Sequence, residues 1–414
     1  MGSNEFLQKV QQSEADFTRK RSLPLTHLIP LLLNFRKGTI QDELDQFFET
    51  LHGGKAIPNI SASAFCQARR KLNPESLAQL NDRLLDSVTE QIRQRRWHGF
   101  RLLGVDGSTG RLPKTDEIAD YFGQPRGSGV PLARFSRLYD VLNNLVVQAD
   151  MAPYRTSERE LAAYYLLDLK EDDLVLYDRG YPAFWLFAFH HEENRHYCAR
   201  VKHDFHAEVK QFIASGKKSQ TVMLQPGKQS AHQCREYYLP DAPIPVRLVR
   251  VMLKSGEIEV LATSLTDEEA YPASWFGKLY QLRWGVEENY KREKQHMEIE
   301  NFSGRSPLIL LQDFHAKIFA QNMASIFVFL AQWLADERYR KRKHVYQVNF
   351  ANAISKMKNN IVRVFLQTSP LELCWSLMER MASSVEAVRP DRSYPRNMKE
   401  VRVPGFQENY KRTR

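Results

Sequence analysis

The chain has 414 residues and a formal net charge of +10, with 43% hydrophobic and 11% aromatic residues. At about 100–200 residues per domain that length predicts two to four domains, and the apolar share excludes a disordered chain. The excess of Lys and Arg predicts a polyanionic partner, nucleic acid first, with a basic protein that has no such partner as the plain alternative.

Residues 1–100 read as helical. Thr39–Leu51 carries an apolar stripe (Ile40, Leu44, Phe47, Phe48, Leu51), and His52-Gly53-Gly54 breaks it. Ser61 then caps a second helix through Phe65, Arg69 and Leu72. A helix, a glycine turn and a helix bearing Arg69, Arg70 and Lys71 fit a helix-turn-helix reader of the major groove. An ordinary helical hairpin with a solvated basic end has the same pattern. The run Leu28–Leu33, extended to Phe35, is the longest apolar one and falls far short of the roughly 20 residues of a membrane span. The N-terminus has no signal-peptide pattern. The cysteines Cys66, Cys198, Cys234 and Cys374 form no CxxC, which suits a reducing cytoplasm and no disulfide framework.

At Arg101 the pattern changes. Leu102–Val105 reads as a short buried strand ending at Asp106-Gly107, followed by a glycine-rich loop. Arg134–Val141 and Leu145–Ala152 read as a hairpin joined by Asn143-Asn144. Ser157 and Glu160 form a capping-box signature before Leu161–Leu169. Leu174–Tyr177 is a second buried strand, ending at Asp178; a helix over Pro182–His191 and a strand over Tyr197–Val201 follow. This order, three strands, helix, strand, helix, strand, is that of a ribonuclease H-like α/β fold, although other α/β folds begin similarly. Residues 203–265 read as a β insertion with strands at Thr221–Leu224, Arg235–Leu239, Val246–Leu253 and Ile258–Thr263. Long helices are predicted over Asp267–Met297, Leu308–Ala335 and Asn349–Phe365. Arg338–Lys343 is a basic cluster, and Arg389–Arg414 reads as irregular and basic; either can track phosphates or be solvated charge.

Two acids, Asp106 and Asp178, stand at predicted strand ends, where open α/β sheets gather their sites. Each alone also fits a turn or a helix cap. On the helix that follows the insertion, Tyr280, Arg283, Glu287 and Lys294 fall within an arc of about 60° at ~100° per residue. An acid flanked by cations and a phenol suits a metal-bound phosphodiester; an exposed stripe with an Arg283–Glu287 pair is the bland reading. His196, Cys198, His203 and His206 lie close in sequence but match no standard zinc spacing.

The quartet Tyr280, Arg283, Glu287, Lys294 resembles the YREK signature of IS4-family DDE transposases. Asp106-Gly107-Ser108 with Leu112-Pro113 and Phe122-Gly123 resembles the family's first-aspartate region. Leu174–Pro182 (LVLYDRGYP) resembles the second, Ser63–Leu72 (SAFCQARRKL) a recurring N-terminal segment, and Arg392–Arg396 (RSYPR) a C-terminal one. The matches run in order along nearly the whole chain. The resemblance implies a ribonuclease H-like catalytic core at 101–336 with a β-strand-rich insertion at about 203–265. A helical DNA-binding region at 1–100 and a helical, basic region at 337–414, with a dimerisation or DNA-contact role, would flank it. Asp106, Asp178 and Glu287 would bind metal, two Mg²⁺ with Mn²⁺ as a substitute. Tyr280, Arg283 and Lys294 would contact the transposon end, alongside Arg69, Arg70 and Lys71 of the reader. Implied partners are double-stranded DNA, both inverted repeats and target, and a second copy of the chain in the synaptic complex. The chain would be a bacterial cytoplasmic protein with no membrane partner, nucleoid-associated when bound to DNA. A catalytically inactive transposition inhibitor and a structure-specific ribonuclease H-like nuclease are the alternatives. A hairpin route needs an aromatic platform for a flipped base. Phe205, Phe212, Tyr237 and Tyr238 are the candidates, and burial in strands is the competing reading of each.

Overall fold

The computed structural model describes residues 4–18, 23–34, 39–53, 59–253, 256–283, 300–366 and 369–389. Helices open the chain: α1 (Asn4–Val10), α2 (Leu25–Leu33), α3 (Ile40–His52), α4 (Ala62–Arg69) and α5 (Ser76–Gln91). The sheet begins with β1 (Arg101–Arg111) and, after α6 (Asp116–Phe122), continues as β2 (Leu132–Asp140) and β3 (Leu145–Pro153). Then come α7 (Glu158–Leu166), β4 (Asp173–Tyr177), α8 (Phe184–Glu192) and β5 (His196–Val201). They are followed by α9 (Ala207–Ser215), β6 (Ser219–Leu224), α10 (Lys228–Glu236), β7 (Ile244–Met252), β8 (Ile258–Thr263) and α11 (Ala273–Leu282). The last described elements are α12 (Pro307–Tyr339), β9 (Tyr346–Val348), α13 (Phe350–Leu366), α14 (Pro370–Ala382) and β10 (Val385–Ala387).

The chain forms two compact units, one of residues 1–92, 111–133 and 292–414, the other of 93–110 and 134–291. In the first, α12 is the hub, packing on α2, α5, α13 and α14. By length and composition α12 could cross a membrane, but 61% of its most apolar window is buried in the protein; it is a core helix. The expected boundary at 336/337 falls inside α12, and the C-terminal helices share a core with the N-terminal ones. Local signals set the N-terminal helices. Thr39 and Asp42 form a full capping box on α3, and Gly53 ends it at φ 61°. The Ser61 hydroxyl accepts from Ala64 N at 3.2 Å to start α4.

The second unit is built on an eight-stranded sheet of order β3-β2-β1-β4-β5-β8-β7-β6. β1, β4 and β5 are parallel, and β4 is buried at every position, as a strand covered on both faces must be. The order β3-β2-β1-β4-β5, with α7 and α8 between the parallel strands, is the ribonuclease H-like arrangement expected. β2 and β3 meet through a turn in which the buried Asp140 carboxylate accepts from Leu142 N, Asn143 N and Asn143 Nδ2, with Asn144 left-handed at φ 56°.

Three expectations are corrected. β1 does not end at Asp106 but continues to Arg111. A Cβ at Gly110 would lie 1.9 Å from Phe135 Cε2, so glycine lets β1 pass beneath that ring. The segment 203–265 contains two helices, and Arg235–Leu239 is the end of α10 and its exit, not a strand. Its strands extend the main sheet: β8 pairs antiparallel with β5, and β7 and β6 follow beyond it. The Ser157 capping box does not form. The acids of the first turn of α7 are engaged elsewhere, Glu158 by Arg134 and Glu160 by the Tyr237 hydroxyl.

Candidate active site

β1 and β4 are paired up to Gly104↔Leu176. Asp106 and Asp178 stand the same even step beyond that pair. An even step keeps both side chains on one face, so the register alone brings the two carboxylates side by side. Their charges interact accordingly. Burial pushes the Asp106 carboxyl up to about 6; Arg283 pulls it down, Asp178 pushes it up, and a backbone hydrogen bond at Gly107 and the Arg137 charge pull it down. The Asp178 carboxylate is oriented by Gly180 N, which donates to Oδ1 at 2.7 Å. The loop behind it is pinned by Arg159, whose Nη2 donates to Gly180 O at 2.9 Å.

Around this pair lie residues that the sequence did not single out. Arg137 is buried on β2, next to β1. Glu158 is ion-paired with Arg134 at 2.6 Å. Arg134 also donates to Thr109 Oγ1 at 3.1 Å. A Cβ on Gly107 would lie 3.0 Å from Glu158 Cδ and 3.1 Å from Tyr181 Oη, so Gly107 leaves the space into which both side chains reach. Tyr181 is 3% exposed. Burial raises its phenol well above the usual range, helped by the charges of Glu158, Asp106 and Asp178.

The expected quartet is only half described. Tyr280 and Arg283 come to the two aspartates, but inward rather than outward. Tyr280 is 6% exposed, and its hydroxyl donates to Tyr177 O, the carbonyl just before Asp178, at 3.4 Å. Arg283 is 5% exposed, with its guanidinium 5.7 Å from the Tyr280 ring centroid and its charge felt at Asp106. In this structure both therefore line the acid pair from inside instead of forming an open DNA-facing stripe. Glu287 and Lys294 lie outside the described residues.

Of the three reader cations, Arg69 is corrected outright. It is 2% exposed and donates to Asp313 Oδ1 at 2.6 Å, Gln312 Oε1 at 2.7 Å and Ile309 O at 3.1 Å, and to Ser303 Oγ. A guanidinium so committed cannot read a groove. Arg70 is exposed, and Lys71 pairs with Asp16 at 3.0 Å. The zinc reading also fails. Cys198 is buried inside β5, His196 Nδ1 meets Ser264 Oγ, His203 Nε2 meets Ile258 O, and His206 meets Glu208 and Gln225 O. Among the described residues no group of three His, Cys, Asp or Glu side chains could hold a metal ion.

The donor set at Asp106 and Asp178 is carboxylate oxygen, which fits a hard divalent cation. A cation between them would offset the burial and repulsion that raise Asp106.

A ribonuclease H-like sheet with two aspartates side by side just beyond the paired segment of adjacent parallel strands is the arrangement of a phosphoryl-transfer enzyme. The sequence model described as the transposase DDE domain matches residues 97–323, and the chain belongs to that family. It is an IS4-family DDE transposase, a polynucleotidyl transferase. The chain is 25% identical over 400 residues to transposase InsG for insertion sequence element IS4 of Escherichia coli (strain K12), covering 92% of this chain and 86% of that protein. It is 26% identical over 167 residues to the putative transposase InsZ of the same organism, covering 39% of this chain and 55% of InsZ. A solved piggyBac transposase synaptic complex with hairpin DNA aligns at 13% identity and a TM-score of 0.44, covering 94% of this chain and 82% of that one. At that score the likeness adds nothing to the sheet topology.

Proposed function

We propose that this transposase binds the terminal inverted repeats of its own insertion sequence as a homodimer and moves the element by cutting and pasting. The observation that carries the reading is the register-matched pair Asp106 and Asp178, each two residues beyond the last pair of the parallel strands β1 and β4. Glu287 is the third carboxylate of the triad. Mg²⁺, in two ions, is the natural cation for such a set, with Mn²⁺ as a substitute. When bound, such ions lower the pKa of an attacking hydroxyl and stabilise the leaving oxygen. Arg283 and Arg137, buried beside Asp106, balance the negative charge of the carboxylates. Arg70, Lys71 and Lys294 are the cations left to contact DNA phosphates, and Tyr280 holds the carbonyl ahead of Asp178 in place. In the first step water attacks phosphorus and the P–O3′ bond breaks, leaving a 3′-hydroxyl on the element and a 5′-phosphate on the flank. That hydroxyl then attacks a second phosphate, losing its proton as the new P–O bond forms; the attacked phosphate's own P–O3′ bond breaks and its departing 3′-oxygen takes up a proton, giving a hairpin or a joint to target DNA.

For the hairpin route, Tyr237 and Tyr238 remain candidates for a base platform, because they are exposed at 40% and 97%. Phe212 does not, being buried on α9. The test is a labelled fragment carrying the inverted repeats that flank the gene, assayed for nicking, hairpins and joining with Mg²⁺, Mn²⁺ or chelator. Asp106→Asn and Glu287→Gln are expected to abolish cutting while end binding persists. Specific binding without cutting under any metal would favour a decayed or inhibitory protein. Cutting directed by DNA structure rather than by end sequence would favour a nuclease.

A further inference from the structure

Arg247, on β7 of the segment between β5 and α11, is wholly buried. It is weakly paired for a buried cation: Glu268 lies 3.8 Å away on a half-exposed side chain, and Arg247 Nη2 has no hydrogen-bond partner. Burying a charge on such terms is costly, so its remaining contacts call for an explanation. They converge on the approach to α11. Nη1 donates to Tyr271 O at 2.6 Å, Leu265 O at 3.3 Å and Asp267 O at 3.4 Å. Nε donates to Ser219 Oγ at 2.7 Å, and the guanidinium carbon lies 5.3 Å from the ring centroid of Phe276, near the start of α11. The N-cap of α11 is Pro272, with no side-chain cap bond. Contacts from another strand, rather than a local cap, therefore place the start of this helix.

The helix carries that placement to the acids. Phe276, Tyr280 and Arg283 follow one another at i, i+4 and i+7, on one face. Phe276 rests on Arg247, while the Tyr280 hydroxyl donates to Tyr177 O, the carbonyl just ahead of Asp178, at 3.4 Å. From Phe276 to Tyr280 is a single turn, about 6 Å along the axis, too short to absorb a shift at the anchor. We propose that Arg247 is a positioning residue: from β7 it fixes the start of α11, and so holds Tyr280 against the strand end that presents Asp178. The inference rests on the active-site reading above. It gives the segment between β5 and α11 a part in the chemistry although its Arg247 never meets the reacting atoms.

The test removes the anchor and then replaces it with a covalent one. A Cβ on Gly277 of α11 would lie 3.5 Å from Val251 Cγ1 on β7, so Val251→Cys/Gly277→Cys can be closed as a disulfide with diamide. Nicking and joining are measured at saturating protein, well below the melting temperature of each variant, and end binding is measured in chelator. Expected for Arg247→Met is a loss of roughly ten- to a hundredfold in both rates, as a displacement of about 1 Å at a site can cause, with end binding within about threefold of the parent. Closing the tether in Arg247→Met should recover most of that loss, and reductant should remove the recovery. Should Arg247→Met fail to fold, Arg247→Lys, which keeps the charge but not the fork of donors, carries the same comparison. Unchanged rates in the untethered variant would overturn the proposal. So would a loss that persists once gel mobility shows the disulfide closed, or a fall in end binding equal to the fall in rate. In the parent the closed tether should leave both rates within about threefold; if it abolishes them, α11 has to leave β7 to work and the proposal falls. If Asp106→Asn still nicks and joins, it is the active-site reading itself that fails.

Discussion

Arg69 offers the sharpest contrast between a sequence reading and the folded protein. If it reads DNA, Arg69→Ala should weaken end binding and leave stability alone. The structure predicts the reverse. The guanidinium bonds to Asp313, Gln312, Ser303 and the Ile309 carbonyl, and the Asp313 and Arg69 side chains are 8% and 3% exposed. Burial pushes the Asp313 carboxyl up, but the charges of Arg69 and Lys317 and the bonds from Ser303 outweigh it and hold the carboxyl below its usual range. Removing either partner leaves the other charge buried, which costs about 3–5 kcal/mol. At roughly 2–4 °C per kcal/mol for a unit of this size, Arg69→Ala and Asp313→Asn should each lower the melting temperature by about 6–20 °C. The double variant Arg69→Met/Asp313→Leu should lose less than the sum of the two single changes, because no unpaired charge remains. Calorimetry or urea unfolding of the three variants reads this directly. An Arg69→Ala protein that melts with the parent but loses end binding would refute the reasoning and restore the reader.

Two further predictions concern the catalytic unit. His190 is fully buried and pushed down to about 3 by that burial; its Nδ1 faces the Arg195 carbonyl, so it carries the proton, and Nε2 accepts from the Tyr177 hydroxyl. A lowered folded pKa means that the unfolded chain binds the extra proton first. Its stabilisation is therefore complete above about 6.5 and declines as pH falls towards 3, by ~1.4 kcal/mol per pH unit. Urea unfolding between pH 7 and 4 should show His190→Leu less stable at pH 7 and less steep in acid; a variant profile parallel to the parent's would count against this. Gly110→Ala should cost about 1–3 kcal/mol or more by overpacking, since the new methyl meets Phe135 at 1.9 Å. Phe135→Leu in the same chain should recover part of the loss, and the absence of any recovery would mean that the clash lies elsewhere.

The parts of the fold that the sequence announced are those whose causes are local. Leu174–Tyr177 reads as a strand because a parallel strand buried on both faces needs an unbroken apolar run, and Ser61 and Thr39 cap helices through bonds to their own neighbours. What the sequence hid depends on distant partners. The run Arg69-Arg70-Lys71 gives no hint that the first of its cations is met by Gln312 and Asp313 on α12. Gly107–Gly110 reads as a loop because the reason for the glycine, the Phe135 ring on β2, is not adjacent in the chain. The sequence put Tyr280 and Arg283 together on one polar stripe but could not tell a site facing the acids from an exposed ion-paired surface. Polar residues at helical spacing look solvated until the acids they face are known. Arg137 and Tyr181 had no sequence signal beyond the motif around Asp178, and only the sheet brings them to the site.

The site also depends on a contact far from the chemistry. Arg101 and Asp173 are register partners at the start of β1 and β4, and they form a bidentate pair, Nε and Nη2 each 2.7 Å from a carboxylate oxygen, with Asp173 wholly buried. Asp106 and Asp178 lie at the same interval beyond that pair. A slip of one residue would turn Asp106 to the opposite face and separate the acids. It would also leave the buried Asp173 carboxylate without its guanidinium, at a cost of several kcal/mol. The slipped register is therefore opposed at one end of the strands by a buried charge. That places the specificity for the catalytic geometry in an ion pair that never meets the substrate.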